Sequence, residues 1–293
     1  MTQLRKKVIE ELDRRNYSQA TAHAYVSAIR RFAEHFHRSP EGLTSEHVRE
    51  YQLHLIEQHE LRPKSLQVQM CALRFLFLKV LKRRWSRDDL PLPRSSRRQL
   101  PTVLSREEVA RLIDAAPNLR YRTILMALYS TGMRRSELCH LRVEDIDSQR
   151  MVIHIRQGKG GKDRDVPLSP KLLEQLRTYY RSLKHKTAWV FPSLQARHRD
   201  EPMTDKAIWH ACETTARRAG ISKHIHPHTL RHSYATHLVE SGAELPSVQI
   251  LLGHADPRDT MIYVHLSTRQ LRAAPNPLDT LESAGESAPE AGA

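Results

Sequence analysis

The sequence has few cysteines and no long apolar run, and each shortage argues against a class of protein. The three cysteines are far apart in the chain, at Cys71, Cys139 and Cys212. Because none belongs to a CxxC pair, neither a disulfide framework nor a zinc module is indicated. The longest apolar run, Phe75 to Leu81, contains Lys79 and is far shorter than the ~20 residues of a membrane span. The first residues lack the apolar segment of a secretory signal. We therefore expect a cytoplasmic protein without a membrane span.

Positive charge, in contrast, is abundant. The 293 residues include 47 Lys and Arg against 33 Asp and Glu, which gives a formal net charge of +14. The basic residues are spread along most of the chain, as expected of a protein that lies against phosphates. Solubility or ribosome association are the alternative sources of such charge. An anionic polymer is the partner that this composition favours, and the length suffices for about two domains.

The first part of the chain, from Thr2 to about Arg84, has apolar residues at helical spacing and predicts four helices. Ser18 and Thr44 are candidate N-caps of the second and third helices, and Ser65 is a candidate start of the fourth. The following segment is rich in Pro, Ser and Arg, which predicts an extended basic linker. The predicted organisation is a helical domain over 1–86, a linker over 87–100, a second domain over 101–275 and a disordered tail over 276–293.

The second domain is predicted to be mainly helical with a small antiparallel sheet. Ser105 and Glu108 form a capping box that starts its first helix. Two strands, Met151–Arg156 and Arg164–Leu168, flank a glycine-rich turn and predict a hairpin. Short helices are predicted after the prolines that follow the hairpin, and the last of them before Pro275 covers 268–274.

Six residues of the second domain have side chains suited to phosphate chemistry. They are Arg134, Lys159, His228, Arg231, His254 and Tyr263. In this order and spacing they resemble the catalytic set of the tyrosine recombinase (phage integrase) family, with the Xer and integron integrases among its members. The resemblance covers the whole second domain, and the helical first domain is similar in size and position to the family's SAM-like core-binding domain.

The resemblance implies a role for each of the six. Arg134 and Arg231 would hold the non-bridging phosphate oxygens, because planar guanidinium groups bind developing negative charge through paired N–H donors. Lys159 would protonate the departing 5′ oxygen, and the two histidines would assist phosphate binding and proton transfer. Tyr263 would be the nucleophile. Lys162 and Arg164 are the alternatives to Lys159, and Tyr234 is the alternative to Tyr263.

A protein of this family would cut duplex DNA through a 3′-phosphotyrosyl bond, with no metal or nucleotide cofactor, and would assemble as a tetramer on two DNA sites. Two other readings of the sequence remain open. The first is a non-catalytic DNA-binding protein on the same fold. The second is a metal-dependent nuclease that uses a cluster of histidines, His224, His226, His228, His232 and His237. This cluster contains no Asp or Glu and no HExxH arrangement, which argues against it.

Overall fold

The computed structural model describes residues 2–86, 88–94, 100–156 and 163–266. The chain divides into two compact units, Met1–Gln99 and Leu100–Ala293. Among the described residues, no helix is long and apolar enough to cross a bilayer. The predicted final helix over 268–274 and the predicted tail over 276–293 lie outside the described residues.

Four α-helices form the described part of the first unit, as the sequence predicts. Their bounds are Gln3–Arg14 for α1, Gln19–Phe36 for α2, Ser45–Glu57 for α3 and Pro63–Arg74 for α4, which continues as a π-helical segment, Phe75–Val80. Ser18 caps α2 by accepting a hydrogen bond from the Thr21 amide at 3.2 Å. The predicted start of α4 at Ser65 is wrong, because the helix begins at Pro63. Proline suits the first helical position, where its fixed φ fits and its missing N–H is not needed.

The core of the first unit extends into the segment that was predicted to be a linker. Leu90 is fully buried in this core, and Leu92 packs against it. The Arg74 side chain donates a hydrogen bond to the Leu90 carbonyl at 2.6 Å. Burial of Leu90 removes an apolar side chain from water, which favours folding. The neighbouring prolines do not prevent this burial. Residues 88–92 therefore contribute to the folding of the first unit.

The second unit is built around a central buried helix, α6. Its described helices are α5 (Arg106–Asp114), α6 (Leu119–Thr131), α7 (Arg135–Cys139), α8 (Pro170–Ser182), α9 (Asp205–Arg218), α10 (Pro227–Glu240), α11 (Leu245–Leu252) and α12 (Arg258–Leu266). Helix α6 packs against α8, α9 and α10. The predicted capping box is confirmed, since the Ser105 hydroxyl accepts from the Glu108 amide and the Glu108 carboxylate accepts from the Ser105 amide. Helix α10 was predicted to be short but runs for 14 residues.

The sheet of the second unit is small and antiparallel. Its strands are β1 (Ile146–Asp147), β2 (Val152–Ile155) and β3 (Arg164–Pro167), in the order β1-β2-β3. The predicted hairpin is confirmed as β2 and β3, which align Ile153 with Val166 on the buried face. Strand β1 was not predicted, because two residues are too few to show alternation. A mainly helical protein with a small antiparallel sheet is therefore confirmed.

Candidate active site

Five of the six predicted residues lie in the described part of the second unit, around the C-terminal end of α11. Arg134 precedes α7, His228 and Arg231 are on α10, His254 follows α11, and Tyr263 is on α12. Lys159 lies outside the described residues. The structure therefore brings Arg134, Arg231, His254 and Tyr263 together through the end of one short helix.

Arginines cap the end of α11. Gly253 ends the helix in the left-handed conformation, with φ of 62°, which glycine adopts without strain. The last carbonyl groups each accept a hydrogen bond from a different arginine: Leu251 from Arg164 at 2.8 Å, Leu252 from Arg231 at 2.6 Å and Gly253 from Arg134 at 2.8 Å. Because a helix C-terminus carries unpaired carbonyls and partial negative charge, it favours cations. The helix end thus fixes three guanidinium groups in one place.

Arg231 is a buried cation that joins two helix ends. Arg231 is only 3% exposed, and its Nη1 donates a hydrogen bond to the Gly132 carbonyl at 2.6 Å. Gly132 ends α6 in the left-handed conformation. Burial, and then the charge of Arg134, lower the pKa of Arg231 to about 10, so the side chain stays charged at neutral pH. A bound anion would relieve the cost of this buried charge.

Arg134 forms an ion pair with an acidic side chain of the adjoining helix. It is the residue before α7, where an acidic side chain can pair with it. Arg134 Nη1 donates to Glu137 Oε1 at 2.7 Å, and the Arg134 amide donates to Glu137 Oε2 at 2.8 Å. Glu137 therefore compensates part of the charge of Arg134.

The sequence argument missed Glu137 and considered Arg164 only as an alternative to Lys159. The Arg164 guanidinium donates to both oxygens of Glu137, at 2.9 and 2.7 Å. Burial acts to raise the pKa of Glu137, but the hydrogen bonds and charge of Arg164, with help from Arg134, lower it to about 2. The sequence contained one signal that the Arg164 side chain points inward. Arg164 is two residues before the apolar Val166, so both side chains lie on the inner face of the strand.

The two predicted histidines differ in exposure. His228 is exposed on the first turn of α10; partial desolvation and then the charge of Arg231 lower its pKa. His254 is half-buried, and its Nδ1 lies 2.9 Å from Thr260 Oγ1. Burial, followed by the charges of Arg231 and Arg134, lowers the pKa of His254 to about 4. Both rings are therefore expected to be neutral at pH 7 in the absence of an anion.

Tyr263 is almost completely buried, at 1% exposure. Its ring packs with Ala235, Val248 and Leu252 and lies nearly parallel to His254, with 6.1 Å between ring centroids. Burial raises the pKa of its hydroxyl. The oxygen lies 3.1 Å from Nδ1 of His232, a residue that the sequence argument considered only as a metal ligand.

The histidines of the alternative metal hypothesis do not form a metal site. Successive rings from His224 to His226, His228 and His232 have centroids 5.8, 6.2 and 6.4 Å apart. His237 is engaged elsewhere, with Nδ1 2.8 Å from the Tyr129 hydroxyl. Within the described ranges, no group of three or more His, Cys, Asp or Glu side chains is placed to hold a metal ion. The arrangement instead presents positive charge beside a tyrosine, which suits an anionic substrate.

Comparison with known sequences gives matches along both units. Residues 102–270 match the model of the phage integrase family, and residues 4–87 match that of the phage integrase N-terminal SAM-like domain. A relative from Sinorhizobium fredii (strain NBRC 101917 / NGR234), named putative integrase/recombinase y4qK, is 39% identical over 292 residues, which are 99% of this chain and 93% of the relative.

Solved structures with the same fold include two recombinases. The crystal structure of XerA recombinase is 29% identical, with a TM-score of 0.54 over 93% of this chain and 97% of that one. The crystal structure of a lambda integrase tetramer bound to a Holliday junction has a TM-score of 0.70 over 88% of this chain and 75% of that one. Its identity is 19%, so this second likeness concerns the fold alone.

Proposed function

The chain belongs to the phage integrase family, the tyrosine-type site-specific DNA recombinases, and we propose that Tyr263 is the nucleophile with which it cuts and rejoins DNA. The observation that carries this proposal is the position of Tyr263. Its ring lies along His254, at the helix end where Arg134 and Arg231 donate to successive carbonyls. A phosphate beside two guanidinium groups at that end would be close to the tyrosine.

The two arginines would bind the scissile phosphate. When the phosphodiester is attacked, negative charge grows on its non-bridging oxygens, and preorganised donors stabilise it most. Each guanidinium has five N–H donors, and the protein contacts described above use two on each of Arg134 and Arg231. In the proposed complex the remaining donors bind the phosphate oxygens. In this arrangement the arginines do the electrostatic work that a metal ion does in many nucleases.

The other predicted residues complete the proposed reaction. Lys159 protonates the departing 5′ oxygen, while His228 and His254 assist phosphate binding and proton transfer. Attack by Tyr263 leaves a 3′-phosphotyrosyl bond and a free 5′ hydroxyl. A 5′ hydroxyl from a partner strand reverses the step, so the bond energy is conserved and neither ATP nor a cofactor is needed.

We further propose how the whole chain is organised around DNA. Residues 1–86, together with the packed segment 88–92, would be the core-binding domain, and residues 101–275 the catalytic domain. Duplex DNA is the partner, and by analogy with the lambda integrase tetramer on a Holliday junction, a tetramer on two DNA sites is the assembly. Such a protein would act in the cytoplasm, on the nucleoid.

Trapping of the covalent intermediate tests this function. A DNA duplex recovered by repeated binding from a random-sequence pool, called here the selected duplex, would be nicked so that the cleaved fragment diffuses away. Incubation with the protein in EDTA should yield DNA that migrates with the protein on a denaturing gel. Binding without an adduct at any nick position would support the non-catalytic alternative. Cleavage that EDTA abolishes and zinc or magnesium restores would support the metal-dependent nuclease.

A further inference from the structure

His232 is a polar side chain in contact with the Tyr263 hydroxyl that the proposed catalytic set does not include. It directly follows Arg231 on α10, and its Nδ1 lies 3.1 Å from Tyr263 Oη. The two rings are tilted, with centroids 5.8 Å apart. A general base must lie within about 2.6–3.2 Å of the atom whose proton it removes. His232 meets this distance in the structure.

We propose that His232 is the catalytic proton acceptor for Tyr263. This proposal rests on the proposed function, since it requires Tyr263 to be the nucleophile. Tyrosine is a poor nucleophile as a neutral phenol and needs an adjacent base. The need is greater here, because Tyr263 is buried and burial disfavours the phenolate.

The surroundings keep the imidazole of His232 neutral, as a base must be. Burial lowers its pKa to about 4, and the neighbouring His228, Arg231, His226 and His254 act in the same direction. Arrival of a phosphate at Arg231 and Arg134 adds a negative charge close by. That charge favours the protonated imidazole, so binding of the substrate strengthens His232 as a base at the moment when Tyr263 must lose its proton.

The proton and electron balance of the step is complete. As the bond from Tyr263 Oη to phosphorus forms, the hydroxyl proton moves to His232 Nδ1. The bond from phosphorus to the 5′ oxygen breaks, its electron pair stays on that oxygen, and Lys159 supplies the proton that the oxygen needs. In the reverse step the attacking 5′ hydroxyl gives its proton to Lys159 as its bond to phosphorus forms, and the protonated His232 returns its proton to the departing Tyr263 oxygen.

His254 is the other histidine beside Tyr263, and its geometry suits the role less well. Its ring lies nearly parallel to the tyrosine ring, at an interplanar angle of 13°, with centroids 6.1 Å apart. Its Nδ1 is engaged with Thr260.

His232 has one alternative role. It could be a lock that holds the Tyr263 hydroxyl in the buried position until DNA binds. The two roles of His232 predict opposite effects of its removal.

A pair of substitutions separates basicity from hydrogen bonding. His232→Asn places an amide near the position of Nδ1, so the variant can still accept a hydrogen bond from Tyr263 but cannot take its proton. We expect single-turnover cleavage of the selected duplex to slow by about 10²- to 10⁴-fold. Below the pKa of the tyrosine, the rate of this variant should rise about tenfold per pH unit, because only the phenolate fraction reacts. The wild-type rate should depend on pH less steeply.

Two further variants provide the controls. His232→Asp is similar in size to the Asn variant but carries a base, so it should cleave faster than His232→Asn at neutral pH. His224→Asn changes an exposed histidine of the same segment and should cleave at the wild-type rate. Thermal unfolding and affinity for the selected duplex establish that each variant is folded and binds.

The outcomes are distinguishable from failure of the proposed function. If His232→Asn cleaves at the wild-type rate, the contact only positions the tyrosine. If it cleaves faster than wild type, His232 acts as a lock. Either result overturns the proposal. If His232→Asn does not fold, slow cleavage by His232→Asp with the steep pH dependence of an unassisted phenol overturns it as well. An adduct formed by Tyr263→Phe would instead contradict the proposed function itself.

Discussion

Glu137 accepts hydrogen bonds from Arg164 through both of its carboxylate oxygens, at 2.9 and 2.7 Å. The same carboxylate accepts from Arg134, which we propose to bind the scissile phosphate. The side chains of Glu137 and Arg164 are only 5% and 6% exposed. Because a buried charge without its partner is costly, each member of this group constrains the position of the others.

Glu137→Gln should destabilise the protein, and the effect should depend on pH. The pKa of Glu137 is lowered to about 2 in the folded state, so its stabilising contribution is present above its ordinary pKa and is lost as the pH falls through the range from about 4.5 to 2. We expect a loss of about 3 kcal/mol at pH 7 and roughly half of that at pH 3. Urea unfolding at the two pH values measures the difference.

Glu174→Gln is the matched control, because Glu174 is exposed on α8. Its free energy of unfolding should stay within about 0.5 kcal/mol of wild type. Equal stability of Glu137→Gln and wild type at pH 7 would contradict the inferred role of this carboxylate.

Gly132→Ala should both destabilise the protein and slow cleavage. Gly132 has φ of +62°, and an added Cβ would lie 2.4 Å from the Tyr234 ring. Backbone strain costs about 1–2 kcal/mol, and overpacking adds about 1–3 kcal/mol. Because the Gly132 carbonyl accepts from Arg231, displacement of this residue should also disturb phosphate binding. Thermal unfolding and cleavage of the selected duplex measure the two effects.

Gly220→Ala separates strain from crowding. Gly220 has φ of +64° but nothing within 4 Å of an added Cβ, so this variant should show the strain alone and should cleave normally. Equal losses of stability in the two variants would mean that the Tyr234 ring moves aside at no cost.

The sequence predicted which side chains the fold brings together better than it predicted what holds them in place. Arg134, Arg231, His254 and Tyr263 were identified by their order and spacing in the sequence. Several of the groups that hold them come from elsewhere in the chain: the Gly253 carbonyl is 119 residues from Arg134, and the Gly132 carbonyl is 99 residues from Arg231. Arg164 and Glu137 are 27 residues apart. Strand alternation places Arg164 on the inner face but does not identify Glu137 as its partner, because the contact depends on how the hairpin packs against α7 and α11. Likewise, His232 meets Tyr263 only through the packing of α10 against α12.

Lys159→Ala should slow cleavage by about 10²- to 10⁴-fold, the usual contribution of a positioned general acid. A substrate with sulfur at the bridging 5′ position should recover most of this loss, because a thiolate leaves without a proton. Single-turnover rates on the two substrates provide the measurement. The same loss on both would assign Lys159 to DNA positioning, and Lys162→Ala serves as the neighbouring control.

DNA binding should depend strongly on salt. The net charge of +14 implies several contacts with phosphates, and each releases bound counterions. We expect roughly tenfold or greater loss of affinity between low and physiological salt. Filter binding to the selected duplex over a salt series measures the slope, and a flat response would argue against phosphate contacts as the basis of binding.

The central claim is that the covalent bond forms at Tyr263, and the adduct itself tests it most directly. The protein trapped on the nicked selected duplex is digested with protease and nuclease, and the peptide that carries the nucleotide is identified by mass spectrometry. We predict that it contains Tyr263. Tyr263→Phe, which keeps the buried ring, should bind DNA but form no adduct, whereas Tyr234→Phe should still form it. An adduct on Tyr234, or one formed by Tyr263→Phe, would contradict the account.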